Sequence, residues 1–400
     1  MNITKNAAMK KAVTELWKHY LLSIASGDIM LGEVADQLYI SDLDFSCLKR
    51  LGKKRAIMDL VTTGFSGTID DAVDNLYYEY DDMKPYSYLM DFMSPEDAWD
   101  AMFRYIAAHT EYYDASLITK NPYYTHVKAP TAQKGNIKLT TTDYLAGEFF
   151  QTYHKKYTRT DPFGYANIGF FDGKVKFPVL LENGKVWMSV VISEIESMEK
   201  PIELAHGKVI TYGLGLGYYA FMAAEKPEVE SVTVVEMNPK VISLFEKHLL
   251  PQFPHKEKIH IVEADALEFI DQQEDGEYQV AFSDFWGGVT DGLELYLKFM
   301  PKTARFKKTR HEYWIETCFL EYYFRPVIMK VLLKKVLGKD IKLPKVGEEE
   351  TKASKAFEAF LETWNVSIDS VEKLYYVLGN KTLIPLMRRF ACAYQKKEEK

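Results

Sequence analysis

The sequence predicts an α/β fold in which a doubly wound, parallel sheet is preceded by a β-meander and flanked by helical N-terminal and C-terminal regions. Short β-rich runs alternate with helix-forming runs over residues 209–317, which is the pattern of successive strand–helix–strand units. The first of these strands breaks into three glycines spaced one residue apart and then turns helical. A glycine-rich turn at that junction is typical of open sheets that bind cofactors.

Composition limits the class of protein. A chain of 400 residues with 47% hydrophobic residues can form two or more domains and is not disordered throughout. Its net charge of −7 argues against a broad nucleic-acid surface. Three dispersed cysteines, Cys47, Cys318 and Cys392, form neither a disulfide framework nor a metal cluster. No apolar run is long enough to span a bilayer, and the first residues lack the apolar core of a signal peptide. We expect a cytoplasmic protein without a metal site and without a nucleic-acid or membrane partner; a homodimer is compatible with the sequence.

Four segments are predicted along the chain. They are a helical N-terminal domain (1–129), a linker with the β-meander (130–200), a cofactor-binding domain (201–320) and a helical C-terminal extension (321–400). The clearest helix start is Ser94-Pro95, where the serine caps the helix and proline takes its first position. The tyrosine-rich stretch 76–92 is expected to form helical core; the alternative is a cap that supplies aromatic walls to an active site.

The β-meander is predicted from turn chemistry. Two apolar strands flank Asp172-Gly173, and a second turn, Glu182-Asn183-Gly184, leads into a third strand. Trp187 lies on that third strand. We expect it to pack the sheet against the next domain, because large aromatic side chains are mostly buried. The alternative is that it stacks on a substrate or cofactor.

The glycine turn lies within the run Lys208–Tyr219, KVITYGLGLGYY. Gly213, Gly215 and Gly217 fall between a β-rich run and a helix-forming run. Glycine there permits positive φ and a close approach of the backbone to a ligand, and the next helix offers free N–H groups. A tight turn without a ligand would also use these glycines.

Carboxylates follow the next three predicted strands. Glu236 ends the strand that begins at Ser231, about twenty residues after the glycines, which is the separation of a group that binds ribose hydroxyls. Asp265 ends the third strand and Asp284 the fourth. These acids, in phase with the glycines, predict a nucleotide-type cofactor site. Its candidate residues are Gly213, Gly215, Gly217, Glu236, Met237, Asp265, Ala266 and Asp284.

The stretch 207–288 resembles class I S-adenosylmethionine-dependent methyltransferases, and within them the spermidine-synthase-like branch. The resemblance implies a Rossmann-like sheet and S-adenosylmethionine as cofactor, with the glycines beside its methionyl part. It also implies that Glu236 binds the ribose, that Asp265 lies near the adenine amino group, and that Asp284 faces the reacting centre. The spacing G-x-G-x-G favours this cofactor over NAD, whose motif would need its third glycine at Tyr218.

Several positions depart from the family pattern. Thr211 stands where many of these methyltransferases carry an acid, two residues before the first glycine. Leu216 replaces the aspartate of the G-G-G-D-G motif of spermidine synthases, which removes a counter-charge for an aminopropyl ammonium group. The family's hairpin glutamine falls on Trp187, and its tyrosine or histidine in the next helix falls near Met198. The residues of a polyamine site are therefore not reproduced.

The sequence leads to a methyltransferase acting on an unidentified acceptor, with a small molecule expected as its partner. Asp284 is the catalytic candidate, because it could orient or deprotonate an amine or hydroxyl; the alternative is that it only caps its loop. A spermidine-synthase-like aminopropyltransferase and a non-catalytic cofactor-fold protein used for protein contacts stay open. The basic run Pro301–Arg310 is expected to be a solvated loop, with binding of a phosphate-bearing or acidic acceptor as the alternative.

Overall fold

The computed structural model describes residues 1–29, 89, 91–152, 167–341 and 348–398. In chain order the strands of these parts are β1 (Asn2–Ile3), β2 (Thr110–Tyr113), β3 (Ala132–Lys134), β4 (Ile137–Tyr144), β5 (Phe149–Thr152), β6 (Asn167–Phe171), β7 (Val175–Glu182), β8 (Lys185–Ser189), β9 (Gly207–Tyr212), β10 (Val229–Glu236), β11 (Ile259–Glu263), β12 (Val280–Ser283), β13 (Arg310–Tyr313) and β14 (Ser367–Ile368). Most of the tyrosine-rich stretch 76–92 lies outside the described residues.

Helices connect and flank these strands. They are α1 (Ala7–Ile29), α2 (Pro95–His109), α3 (Ser116–Thr119), α4 (Pro122–His126), α5 (Ile192–Leu204), α6 (Tyr218–Ala224), α7 (Pro239–His248), α8 (Ala266–Phe269), α9 (Val289–Thr303), α10 (Glu316–Phe319), α11 (Arg325–Leu332), α12 (Glu348–Thr363), α13 (Val371–Leu378) and α14 (Asn380–Glu398). Two π-helical turns, Leu320–Phe324 and Leu333–Leu337, flank α11. The predicted start of α2 is confirmed, because the Ser94 hydroxyl accepts a hydrogen bond from the Asp97 N–H.

The chain divides into two compact units, and each unit collects several stretches of sequence. The first comprises Met1–Asp114, Leu145–Gly173 and Leu320–Leu386, and the second comprises Ala115–Tyr144, Lys174–Phe319 and Met387–Lys400. The four predicted segments, in contrast, are continuous stretches of chain. No described helix has the length and apolar character needed to cross a membrane.

The first unit holds a three-stranded sheet and a parallel pair of short strands. In the sheet β6 lies between β2 and β5, and in the pair β1 lies beside β14. Among the described residues of this unit, Arg325 is a buried cation, with 1% of its surface exposed. Its guanidinium donates to the Glu321 carboxylate and to the Asn380 side chain. A buried charge needs such partners, because its loss of hydration is otherwise uncompensated.

The second unit is built on a five-stranded parallel sheet with the strand order β11-β10-β9-β12-β13. Its central strands β9 and β12 read VITY and VAFS, and their side chains are buried on both faces, as is usual for parallel sheets covered by helices. In order along the chain these strands are 3-2-1-4-5, which is the doubly wound order of Rossmann-like folds. The predicted fold class is therefore confirmed. The order reverses between β9 and β12, because the chain continues from β9 to β10 on one side and places β12 on the other. Ligands bind at such a switch point.

A second, antiparallel sheet of this unit has the order β3-β4-β7-β8. The predicted hairpin at Asn183-Gly184 is confirmed: both residues have positive φ, 51° and 81°, as in the turns that connect twisted hairpin strands. The predicted hairpin at Asp172-Gly173 is wrong. Strand β6 pairs with β2 and β5, and β7 pairs with β4 and β8. The Asp172 N–H donates to the Tyr113 carbonyl, which continues the pairing of β6 with β2 instead of turning back.

The last part of α14 belongs to the second unit. Arg388 donates two hydrogen bonds of 2.7 Å from its guanidinium to the Glu316 carboxylate. The same carboxylate accepts a third bond of 2.7 Å from the Tyr296 hydroxyl, and Glu316 is only 3% exposed. These three donors satisfy a charge that burial would otherwise make costly. Arg388 also donates to the His311 carbonyl on β13, so the helix is tied to the edge of the parallel sheet.

Candidate functional site

A cavity of about 560 Å³ opens at the carboxyl ends of β9, β10, β11 and β12, and strand β8 and helix α5 form the facing wall. This position is the switch point of the parallel sheet, where α/β proteins bind their ligands. Most of the residues predicted from the sequence line it together: Gly213, Gly215, Glu236, Met237, Asp265, Ala266 and Asp284. Gly217 does not line it.

The glycine turn adopts the conformation that the sequence predicts. Gly213 and Gly215 have φ of +101° and +50°, in the region that disfavours other residues. A Cβ on Gly213 would lie 2.0 Å from the Asp284 carbonyl oxygen. The missing side chain thus lets the ends of β9 and β12 approach each other. A Cβ on Gly215 would lie 1.9 Å from the Met188 sulfur, so the turn also passes directly beside the β8 wall.

Gly217 has a different task from the other two glycines. It caps α6 with φ of +76°, and its N–H donates to the Leu214 carbonyl at 2.8 Å. A Cβ there would lie 2.3 Å from the Phe245 ring, on α7. Gly217 therefore shapes the turn and the packing of α7 behind it, outside the cavity wall.

Glu236 connects the turn to the end of the neighbouring strand. One carboxylate oxygen accepts from the Leu214 N–H at 3.2 Å, and the other accepts from the Asn238 N–H at 2.8 Å. Burial raises the pKa of Glu236, and the backbone N–H groups oppose that shift. Asn238 in turn caps α7, because its side chain accepts from the Lys240 N–H. The acid predicted for the ribose is thus fixed against the glycine turn and lines the cavity.

Asp265 also combines a structural task with a place in the cavity wall. Its Oδ1 caps α8 by accepting from the N–H groups of Leu267 and Glu268, at 2.7 and 3.1 Å. Its neighbour Ala266 lines the cavity. Met237 lies at the mouth with 66% of its surface exposed. These three residues give one end of the cavity an apolar surface beside polar groups.

Asp284 faces a second carboxyl that the sequence prediction missed. Glu194, on α5, lines the same cavity. Burial and then the charge of Asp284 raise the pKa of Glu194 to about 8, and burial raises the pKa of Asp284 to about 7. Two carboxyls in one poorly hydrated site resist losing both protons. The sequence shows only an acidic helix at this position, without a motif that singles out Glu194.

Aromatic side chains complete the wall beside this carboxyl pair. Trp286 is buried and Trp314 is half-buried, with its indole N–H donating to the Ser197 hydroxyl at 2.9 Å. Trp187 lines the cavity with 37% of its surface exposed. Trp187 is therefore not the buried packing residue that the sequence predicts, because β8 is an edge strand whose residues from Val186 to Ser189 border the cavity. Strand β13 ends at Tyr313, so Trp314 lies just beyond the strand and lines the cavity.

The basic run Pro301–Arg310 lies apart from the cavity lining. Asp275 binds its backbone: one carboxylate oxygen accepts from the N–H groups of Lys307, Lys308 and Thr309, at 2.7 to 3.3 Å. The Asp275 carboxylate therefore already binds the backbone N–H groups that an anionic ligand would need.

Among the described residues, no group of three or more histidine, cysteine or acidic side chains is arranged to hold a metal ion.

Comparison with known proteins gives likenesses of structure only. No protein-family model matches the chain, and no curated protein matches it. Among solved structures, spermidine synthase from Thermotoga maritima is 12% identical, with 43% of this chain and 68% of that chain covered and a TM-score of 0.27. A spermidine synthase in complex with the transition-state analogue AdoDATO is 15% identical, with coverages of 54% and 94% and a TM-score of 0.29. The S-adenosylmethionine-dependent methyltransferase SibL is 17% identical, with coverages of 27% and 30% and a TM-score of 0.22.

Proposed function

We propose that this protein is an S-adenosylmethionine-dependent methyltransferase that acts on a small molecule in the cytoplasm. The observation that carries the proposal is the position of Glu236. Its carboxylate ends β10, is bound to the glycine turn at Leu214, and lines a cavity at the switch point of a parallel sheet. The ribose of a bound cofactor would contact the Glu236 carboxylate and the backbone of the glycine turn at the same time.

The charge of the wall fits a cationic nucleoside better than a phosphate-bearing one. The described lining contains four carboxylates, on Glu194, Glu236, Asp265 and Asp284, and one basic side chain, on Lys240. The Lys240 amino group donates to the Asn136 side chain at 2.6 Å. A dinucleotide would bring phosphates into this acidic site. S-adenosylmethionine carries a sulfonium and an ammonium group against one carboxylate, and its net charge is complementary.

Each part of the site has a role in this proposal. Glu236 would bind the ribose hydroxyls, Met237 and Asp265 would flank the adenine, and the backbone at Gly213 and Gly215 would pass along the methionyl part. When bound, S-adenosylmethionine supplies a methyl carbon attached to a positively charged sulfur. The chain itself positions the acceptor and removes its proton, and Asp284 is the residue to which the resemblance gives this role.

Calorimetric titration with S-adenosylmethionine and S-adenosylhomocysteine tests the proposal. We expect both ligands to bind, with dissociation constants in the micromolar range that is common for cofactors of this size. Absence of binding at millimolar ligand would overturn the proposal. Titration with NADH is the control, and it should give no heat above dilution.

An aminopropyltransferase is the second candidate, because an antiparallel sheet precedes the glycine turn as in the spermidine-synthase layout. Leu216 counts against it: this residue is fully buried and leaves no carboxylate at the position that would neutralise an aminopropyl ammonium group. Incubation with decarboxylated S-adenosylmethionine and putrescine distinguishes the two candidates. Formation of spermidine would favour the aminopropyltransferase.

A further inference from the structure

The cavity has two chemically different halves, and the strand order separates them. Strands β10 and β11 lie on one side of β9, and β12 and β13 lie on the other. Glu236 and Asp265 follow β10 and β11, whereas Asp284 and Trp314 follow β12 and β13. The first half is the one that the proposed function assigns to the adenosyl group. The second half is left for the acceptor.

The acceptor half contains a carboxyl pair without a basic partner. Glu194 and Asp284 both line the cavity, and the Trp314 indole N–H donates to Ser197 on the helix that carries Glu194. Burial and then the charge of Asp284 raise the pKa of Glu194, and burial raises the pKa of Asp284. The other titratable groups of the described lining, Glu236, Asp265 and Lys240, all follow β10 or β11 in the first half. The Lys240 amino group is moreover bonded to Asn136. A poorly hydrated pair of acids is stabilised by a shared proton or by a cation from outside the chain.

The surroundings of this pair are apolar and aromatic. Trp286, Trp314 and Leu295 line the same half, because Trp286 and Leu295 follow β12 in the chain and Trp314 follows β13. Indole rings attract a cation through their π faces and also bury apolar groups. Within the described lining, this half has no further acid that could bind a second positive charge at a distance from the pair.

We propose that Glu194 and Asp284 bind the nitrogen of the acceptor, and that the acceptor is a monoamine with an apolar body. This inference rests on the proposed function for the identity of the methyl donor. The protonated amine donates hydrogen bonds to the pair, and the tryptophans enclose its apolar part. One N–H proton then moves to a carboxylate oxygen of the pair. The nitrogen keeps the electron pair of that N–H bond, and this makes it nucleophilic.

Glu194 is the residue that this inference adds to the site.

Phenethylamine is a suitable probe, with 2-phenylethanol as its neutral counterpart and putrescine as a dication of similar length. Calorimetry is carried out on the full chain saturated with S-adenosylhomocysteine, and it should show binding of phenethylamine. Binding of 2-phenylethanol and of putrescine should be about tenfold weaker or more, because the alcohol lacks the charge and the second ammonium group of putrescine finds no acid. Binding should strengthen between pH 6 and pH 9, because the pair loses its protons in that range while the amine stays charged.

Variants then assign the effect to the pair. Glu194→Gln and Asp284→Asn should each weaken phenethylamine binding about tenfold or more and remove most of its pH dependence. Glu194→Gln should change the affinity for S-adenosylhomocysteine by no more than about twofold, a difference below 0.5 kcal/mol. Glu199→Gln is the matched control, because Glu199 is an exposed acid on the same helix. Circular dichroism shows whether each variant is folded.

Three results would overturn the inference. One is failure of phenethylamine to bind to wild-type protein that binds S-adenosylhomocysteine, and this result leaves the methyltransferase proposal intact. Another is tighter binding of putrescine than of phenethylamine, since it would require a second acidic subsite. The third is a loss of S-adenosylhomocysteine affinity in Glu194→Gln with amine binding unchanged, since the pair would then hold the cofactor's own ammonium group. Failure of S-adenosylhomocysteine to bind at all would instead defeat the proposed function.

Discussion

The Tyr123 hydroxyl donates a hydrogen bond of 2.8 Å to the Leu216 carbonyl oxygen, in the middle of the glycine turn. Tyr123 is fully buried and lies on α4, whose cap residue Asn121 also donates to the Tyr218 hydroxyl at 3.0 Å. A turn of three glycines has many accessible backbone conformations when it is free. Helix α4 therefore contributes to holding the turn in the one conformation that lines the cavity.

Replacing Tyr123 by phenylalanine tests this contribution. The change removes one donor and leaves a buried carbonyl without its partner, at a cost of about 1 to 3 kcal/mol. We expect a lower melting temperature and about tenfold weaker binding of S-adenosylhomocysteine by calorimetry. The control is Tyr376→Phe, at a position 70% exposed, which should change neither quantity. Unaltered cofactor affinity in Tyr123→Phe would show that the turn keeps its shape without this bond.

Glu236 and Glu263 form a matched pair of acids, because they are register partners at the ends of the adjacent strands β10 and β11. Only Glu236 lines the cavity, whereas Glu263 is exposed. Glu236→Gln should weaken binding of S-adenosylhomocysteine about tenfold or more, since a charged acceptor makes stronger hydrogen bonds than an amide. Glu263→Gln should have no measurable effect. Equal effects of the two changes would contradict the ribose-binding role that we propose for Glu236.

Alanine substitutions at Gly213 and Gly184 distinguish the cost of a left-handed backbone conformation from the cost of a steric clash. Both have positive φ, but a Cβ would lie 2.0 Å from the Asp284 carbonyl oxygen at Gly213 and meets nothing within 4 Å at Gly184. Gly184→Ala should cost about 1 to 2 kcal/mol, the penalty of the left-handed conformation alone. Gly213→Ala should lower the melting temperature further and abolish cofactor binding, because the ends of β9 and β12 would have to separate. Thermal unfolding of both variants measures the difference.

The carboxyl pair predicts how stability changes with pH. The pKa of Glu194 is raised from 4.5 to about 8, so the folded protein holds a proton that the unfolded chain releases between these values. Stability therefore falls as the pH rises through this range. Glu194→Gln removes the buried charge and should melt at a higher temperature than the wild type at pH 9, with this advantage lost at pH 5. Melting curves at both pH values, with Glu199→Gln as control, check the sign.

The predicted residues that line the cavity are those whose sequence signal is local. Gly213, Gly215, Glu236, Asp265 and Asp284 each end or follow a β-rich run, and parallel strands bring their carboxyl ends to one edge of the sheet. Their convergence on one cavity follows from the topology alone. The caps at Ser94 and Asn238 were predictable for the same reason, because each depends on neighbours within a few residues.

The missed residues come from elements distant in sequence. Glu194 reaches the cavity only because α5 lies opposite the end of β12, and Trp314 only because β13 stops at Tyr313. The Asp172-Gly173 junction has hairpin chemistry, yet β6 finds its partners in β2 and β5. Turn residues permit a hairpin, but the partners available to each strand decide whether one forms.

Arg388 neutralises Glu316 from a point seventy-two residues further along the chain. A truncated variant that ends after the parallel sheet would keep the Glu316 carboxylate and lose two of its three donors. Such a fragment would carry an unpaired acid in its interior and is expected to aggregate. A shorter variant that folds therefore has to keep residues 387–398 together with the parallel sheet, for instance by circular permutation instead of C-terminal truncation.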